Sequence, residues 1–259
     1  MLKGRVLEWL RRARSKSRLH FTLIDPDKVV DEGIETAAAM ARAADEAGSD
    51  AILVGGSLGV YEPDLGTVIK AIREAAPGKP VILFPGSIAG LSREADAVLF
   101  LYLMNSVNSY MSTWAQTQAA PVIARMRLEP IPTAYIIVGY GGAAGYMGHV
   151  TPVPWDKPEL AAAHALAGAM MGAQLLYLEA GSGAPRPVPD EAVSITRRLL
   201  SMAGLDPLVI VGGGIRTGSE ACRKARAGAD ILVTGTIAEE DPERLSEIVE
   251  AFKSCNGQG

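Results

Sequence analysis

Eight times along this chain a short apolar, β-branched run ends in a glycine- or aspartate-bearing turn. The runs are residues 19–25, 50–54, 80–84, 97–101, 131–138, 174–179, 207–211 and 230–234. Each reads as a continuous apolar strand, the pattern of a parallel sheet covered on both faces. Alanine-rich amphipathic segments follow most of them, at 30–47, 65–75, 109–125, 157–172, 190–202, 219–227 and 242–252. The third connection, 86–96, is too short and glycine-rich for a full helix. Ala47-Gly48-Ser49-Asp50 and Ala227-Gly228-Ala229-Asp230 read as helix ends with glycine just past the last turn. Eight βα units close into a barrel, whereas an open doubly wound sheet carries a glycine fingerprint after its first strand. Here that strand ends Ile24-Asp25-Pro26-Asp27-Lys28. The expected fold is α/β, a (β/α)8 TIM barrel forming a single domain over 1–259, with an amino-terminal capping helix in 1–18.

Length and composition agree with that reading. A chain of 259 residues matches one closed barrel, and 48% apolar content supplies its core. The formal charge of −4, with no basic stripe beyond Lys3 to Arg18, excludes a nucleic-acid partner. No apolar run approaches the roughly 18–20 residues of a membrane span. Cys222 and Cys255 have no metal-ligand spacing and suit a reducing cytoplasm, so a cytoplasmic protein is expected. Few Asn, Gln and Cys residues fit heat tolerance.

Chemistry in such barrels gathers at the carboxyl ends of the strands. Three consecutive late turns are glycine-rich: Glu179-Ala180-Gly181-Ser182-Gly183, Gly212-Gly213-Gly214-Ile215-Arg216 and Gly235-Thr236. Glycine lets backbone N–H groups approach an anion, so these turns predict a phosphate site without a lysine cluster. At the early strands, Asp25 and Ser57 bring a carboxylate and a hydroxyl within reach of one hard cation. Asp-Pro-Asp is equally good turn chemistry, and spacing alone leaves cap and metal ligand open for Asp25. Arg216 is read as a phosphate contact or a rim salt bridge. His20, His149 and His164 do not converge and are assigned no chemistry.

The runs Phe21-Thr22-Leu23-Ile24-Asp25-Pro26-Asp27-Lys28, Val54-Gly55-Gly56-Ser57, Tyr177-Leu178-Glu179-Ala180-Gly181-Ser182-Gly183 and Val211-Gly212-Gly213-Gly214-Ile215-Arg216 together resemble geranylgeranylglyceryl phosphate synthases. The similarity extends over 19–238, and residues 102–109 and 156–159 resemble the larger, mostly archaeal subgroup. The bacterial-like subgroup carries Lys two residues before the metal aspartate. Leu23 stands there in this chain, so that contact is not carried over.

The resemblance implies a prenyltransferase joining geranylgeranyl diphosphate to the 3-hydroxyl of sn-glycerol 1-phosphate, an early step of ether-lipid synthesis. It implies Mg²⁺ on Asp25 and Ser57. Glycerol phosphate is expected at Tyr177, Leu178, Glu179, Ala180, Gly181, Ser182, Gly183, Gly213, Gly214, Gly235 and Thr236. Glu179 is the candidate to accept the hydroxyl proton, or to fix the glycerol by a hydrogen bond alone, and Tyr177 to orient it. An apolar groove is expected from Leu101, Tyr102, Leu103, Met104, Tyr110, Met111, Trp114, Ile136, Ile137, Val138 and Tyr140, with 139–146 as a lid. The resemblance also implies a homo-oligomer, and lipid substrates allow transient membrane contact without an anchor. Two other readings stay open: a different phosphate-binding barrel enzyme, and a non-catalytic lipid-phosphate barrel.

Overall fold

The computed structural model describes residues 5–26, 33–56 and 64–255. Eight parallel strands close on themselves in sequence order. They are β1 (Leu19–Ile24), β2 (Ala51–Val54), β3 (Val81–Leu83), β4 (Ala97–Leu103), β5 (Glu129–Ile137), β6 (Leu175–Glu179), β7 (Leu208–Gly212) and β8 (Ile231–Thr234). Closure is visible at Phe21, which stands opposite Ala51 on one side and Val233 on the other. The helices are α1 (Arg5–Arg14), α2 (Ile34–Glu46), α3 (Asp64–Ala75), α4 (Ala115–Met126) and α5 (Gly142–Met147). They continue with α6 (Pro158–Met170), α7 (Asp190–Ala203), α8 (Gly218–Ala227), α9 (Thr236–Glu240) and α10 (Pro242–Ser254).

Alternation along each strand sorts the core into two layers. One set of side chains, including Phe21, Leu53, Leu99, Ile131 and Tyr177, fills the barrel interior. The other, including Ile52, Val98, Ile136, Leu178 and Val211, packs under the surrounding helices. Val6 and Leu10 of α1 join the interior set, so this helix closes the amino-terminal end of the barrel. Burying each contributes about 1.5–3 kcal/mol. The Glu129 carboxylate at the start of β5 accepts from Val6 N (2.8 Å) and Leu7 N (3.0 Å), meeting the exposed amides of α1 with negative charge.

The structure corrects two expectations in this frame. The segment 109–125 is not one helix. A turn of π-helix, Tyr110–Trp114, precedes α4, and Pro121 interrupts the hydrogen-bond ladder within α4. The Gln116 amide bridges this irregular start by donating to Leu101 O (2.5 Å) and Met111 O (3.0 Å). Nor are the cysteines a free pair. Cys222 in α8 and Cys255 after α10 form a disulfide, with Cα atoms 5.3 Å apart. Spacing in the sequence could not reveal this, because the pairing depends on α8 and α10 packing side by side.

The third connection follows the sequence reading. After β3 the chain makes one 3-10 turn, Ile88–Gly90, and enters β4 with no covering helix. The connection between β3 and β4 therefore contributes no full helix to the outer layer, although Val81, Leu83 and Val98 are buried there by neighbouring elements.

Candidate active site

A cavity of about 340 Å³ opens at the carboxyl ends of the strands. Its polar half is built from the late turns. Glu179 ends β6, and Tyr177 lies two residues earlier on the same face, one layer deeper. Gly181, Ser182 and Gly183 continue from β6, Gly213 and Gly214 follow β7, and Gly235 and Thr236 follow β8. All of them line this one cavity, together with Asp25 at the end of β1.

The glycines are required by close approach. Gly213, at φ 80°, has no room for a Cβ, which would collide with Glu179 Oε1 and lie 2.7 Å from Gly181 N. Gly181 N donates to Glu179 Oε1 at 2.6 Å. The β6 and β7 turns thus clasp the carboxylate between them. Arg216 ties them further by donating to Ala184 O at 2.8 Å. The Arg216 guanidinium also donates to Pro185 O, and Arg216 lines the cavity wall.

Tyr177, Tyr135 and Phe84 pack as three rings in the barrel interior, with centroids 5.2–5.4 Å apart. The buried Tyr177 hydroxyl has no hydrogen-bond partner of good geometry among the described residues, and it stands beside Glu179. Burial pushes Glu179 up from 4.5 to about 7, although the Gly181 amide and the Tyr177 hydroxyl oppose the rise. Burial, and then the Glu179 charge, hold both tyrosines well above the ordinary phenol value. Such a site offers a carboxylate poised near neutrality beside a phenol that stays protonated.

Leu178 and Ala180 are placed differently from their neighbours. Their side chains are fully buried and belong to the outer layer. Only their backbone serves the site: Ala180 N donates to Gly212 O, and Ala180 O accepts from Gly141 N. Strand alternation turns every second side chain away, so a contiguous motif cannot present all its residues.

Ser57 lies outside the described residues. Among the described residues no group of three or more His, Cys, Asp or Glu could hold a metal ion. Asp25 is the relevant donor. Its carboxylate crosses Gly56 so closely that a Cβ there would strike Oδ1. A single hard oxygen donor on the cavity wall fits Mg²⁺, which keeps much of its shell for water and phosphate oxygens.

The apolar half leaves the barrel. It is lined by Leu99, Leu101 and Met111, and then by Val98, Phe100, Ala119 and Ile123 between β4 and α4. The missing third helix opens this route. Of the expected groove residues, Leu101, Leu103 and Met111 line the cavity. Ile136 and Val138 are buried in the outer layer, Met104 packs against that layer, and Tyr102 donates to Gly168 O away from the cavity. Ile137 is buried in the barrel interior, while Trp114 and Tyr140 are exposed. The reason is again alternation, which points Leu101 and Leu103 inward and their neighbours outward. Tyr135, Phe84 and Gln116 were missed. The inward phase of β5, shared by Ile131 and Tyr135, was the available signal for Tyr135. The expected lid is the short helix α5, from which Ala143, Ala144 and Met147 reach the cavity wall.

Comparisons with known proteins agree with this layout. Residues 9–253 match the model of the PcrB family. The geranylgeranylglyceryl phosphate synthase of Aeropyrum pernix is 58% identical over 255 residues, covering 98% of each chain. That of Thermococcus gammatolerans is 46% identical, covering 92% of this chain and 90% of its own. The crystal structure of (S)-3-O-geranylgeranylglyceryl phosphate synthase from Thermoplasma acidophilum, in complex with sn-glycerol-1-phosphate, superposes with a TM-score of 0.88 at 39% identity. It covers 96% of this chain and 98% of its own. By sequence and by fold, this chain belongs to the PcrB family, among the geranylgeranylglyceryl phosphate synthases.

Proposed function

We propose that the protein transfers a geranylgeranyl group from its diphosphate to the 3-hydroxyl of sn-glycerol 1-phosphate, releasing diphosphate. The observation that carries this is the shape of the cavity. Glycine turns and a buried Tyr–Glu pair occupy one half, and an apolar arm leaves the barrel from the other. A phosphorylated polyol and a long hydrocarbon need just these two surfaces.

The glycerol phosphate sits against the amides of Gly213, Gly214 and Gly235, with Ser182, Gly183 and Thr236 beside it. Tyr177 offers its hydroxyl to the glycerol, which supplies the hydrogen bond that it lacks among the described residues. Glu179 holds the 3-hydroxyl toward the allylic carbon and accepts its proton as the new C–O bond forms. The bond from that carbon to the diphosphate oxygen breaks in the same step. Mg²⁺ held by Asp25 and Ser57 would supply stabilisation of the departing diphosphate. The apolar arm excludes water from the reacting carbon.

Incubation with geranylgeranyl diphosphate, Mg²⁺ and sn-glycerol 1-phosphate should yield the ether. No product, or equal use of sn-glycerol 3-phosphate, defeats the reading.

The chain works as one barrel domain, and as a homo-oligomer. In support, the outer face of α6 leaves Leu160, Ala163, Ala167 and Met170 exposed in a helix apolar all round. We place it in the cytoplasm. No helix among the described residues is long and apolar enough to cross a membrane. The Cys222–Cys255 disulfide is compatible with that location together with the expected heat tolerance, since intracellular proteins of hyperthermophiles carry such bonds.

A further inference from the structure

The β6 and β7 turns hold each other through Glu179, Gly181 and Arg216, but the β8 turn with Gly235 and Thr236 lies outside that clasp. Its neighbour is β1: a Cβ on Gly235 would lie 3.4 Å from Leu23 O. Val233 faces the barrel interior and Leu232 the outer layer, so strand phase turns the Thr234 side chain outward. As the last residue of β8, Thr234 also borders the cavity.

Behind that strand end the outer layer is polar. His20 of β1 is fully buried, with Nε2 3.0 Å from Thr234 Oγ1 and Nδ1 2.9 Å from Ser49 Oγ. Ser49 Oγ lies 2.8 Å from Thr22 Oγ1, and Thr22 stands opposite Thr234 in the strand register. Burial, and then the charge of Lys253, push the imidazole down to about 3. The ring is therefore neutral, with one nitrogen donating and the other accepting. Each hydroxyl can do both, so the four side chains form one unbroken run of hydrogen bonds. The run is anchored from outside. His20 N donates to Asp50 Oδ2 at 2.8 Å, and Lys253 of α10 holds the same carboxylate at 2.7 Å.

Burying four polar side chains is costly where apolar ones would pack, as Ile52, Val54, Val209 and Val211 do on the adjacent strands β2 and β7. What the polar groups add is direction. An apolar contact tolerates sliding, whereas a hydrogen bond fixes one geometry. The network spans the seam where the first strand meets the last, at the end where β8 passes into its glycine turn.

We propose that His20 is a positioning residue for the phosphate: through Thr234 it fixes the Gly235–Thr236 turn against β1 and so sets the amides that receive the anion. His20 itself does not line the cavity. That the anion is a glycerol phosphate rests on the function proposed above. Loosening this turn weakens the ground state and the transition state alike, so it raises KM and spares kcat.

The test compares Thr234→Val, which keeps the shape and removes the hydroxyl, with Thr234→Ser, which keeps the hydroxyl. Thr234→Val should raise KM for sn-glycerol 1-phosphate about tenfold and weaken calorimetric binding of inorganic phosphate by a similar factor. Its kcat and its KM for geranylgeranyl diphosphate should stay within about twofold of the parent. Thr234→Ser should behave like the parent. His20→Leu should match Thr234→Val, and combining the two should add little, as expected of members of one network. Thr196→Val, which loses a buried hydroxyl in α7 away from the cavity, controls for stability: it should lower the melting temperature and leave both KM values alone. Unchanged phosphate binding in Thr234→Val, additive losses in the double variant, an equal KM shift in Thr196→Val or a fall in kcat alone overturns the proposal. Parent protein that binds no phosphate overturns it together with the phosphate site. Phosphate binding that responds to the variants as expected, in a protein that forms no ether, defeats the enzymatic reading and leaves the positioning role standing.

Discussion

Tyr177 and Glu179 meet over Gly212, where a Cβ would lie 2.6 Å from the phenolic oxygen and 2.7 Å from Glu179 Oε2. The backbone of β7 gives up a side chain so that two buried polar groups share one space. Replacing Glu179 by Gln keeps the size and removes the proton acceptor. A loss of about 10²–10⁴-fold in kcat/KM is expected. In the parent enzyme, activity falls as pH drops below about 7, where the carboxylate becomes protonated. The Gln variant loses that acidic limb if Glu179 is the base; a limb that persists in the variant belongs to another group and removes Glu179 from that role. A pH–rate profile of both proteins reads this directly.

The same burial makes Glu179 a cost to the fold. Folded protein holds the Glu179 proton up to about pH 7, whereas a carboxyl in the unfolded chain releases it near 4.5. Folding therefore takes up a proton between those values, and this group's contribution to stability declines as pH rises through that window. Above pH 7, Glu179→Gln should be more stable than the parent by on the order of 2–3 kcal/mol. At pH 4 the two should melt alike. Thermal unfolding at pH 4 and pH 8 measures the difference.

Gly213→Ala and Gly204→Ala make a matched pair. Both positions have positive φ, 80° and 65°, so both pay roughly 1–2 kcal/mol for an alanine. A Cβ on Gly204 meets nothing within 4 Å, while one on Gly213 displaces the Glu179 carboxylate. Activity should vanish in the first variant, which should also melt at the lower temperature because its Cβ meets the Gly181 backbone, and survive in the second.

Chelation should stop turnover, and Mg²⁺ should restore it. Asp25→Asn should raise the Mg²⁺ concentration needed by at least roughly 10–100-fold, the loss typical of removing even an outer partner of a metal site. Gly56→Ala, which pushes on the same carboxylate, should move the Mg²⁺ titration in the same direction. Unchanged titrations in both would remove the metal role from Asp25.

Reducing the Cys222–Cys255 bond, or replacing both residues by Ser, should cost about 3–4 kcal/mol, from reopening a loop whose ends are 33 residues apart. Residual activity below the melting transition should be unchanged, because neither cysteine lines the cavity. Urea titrations with and without reductant measure the cost.

The barrel was legible because period and count are properties of the chain itself: eight apolar runs, glycine past the helix ends, and a third connection too short for a helix. The polar half of the site was legible for a related reason. Gly181, Gly213, Gly214 and Gly235 are needed wherever backbone must come close, and that need shows in the sequence. The apolar arm was not legible in the same way. Whether Ile136 or Phe100 faces the cavity depends on strand phase and on the absence of a neighbouring helix, and both residues look alike as letters. The disulfide was hidden for a stronger reason. It joins α8 to the end of α10, and only three-dimensional packing brings those cysteines together.

The cavity between β3 and α4, where no third helix stands, has a thermodynamic consequence. Elsewhere the barrel completes its own coat. Here hydrocarbon from a ligand would complete it, so the empty protein is slightly underpacked and the loaded one is not. Prenyl compounds lacking any phosphate should therefore raise the melting temperature in proportion to how much of that wall they cover.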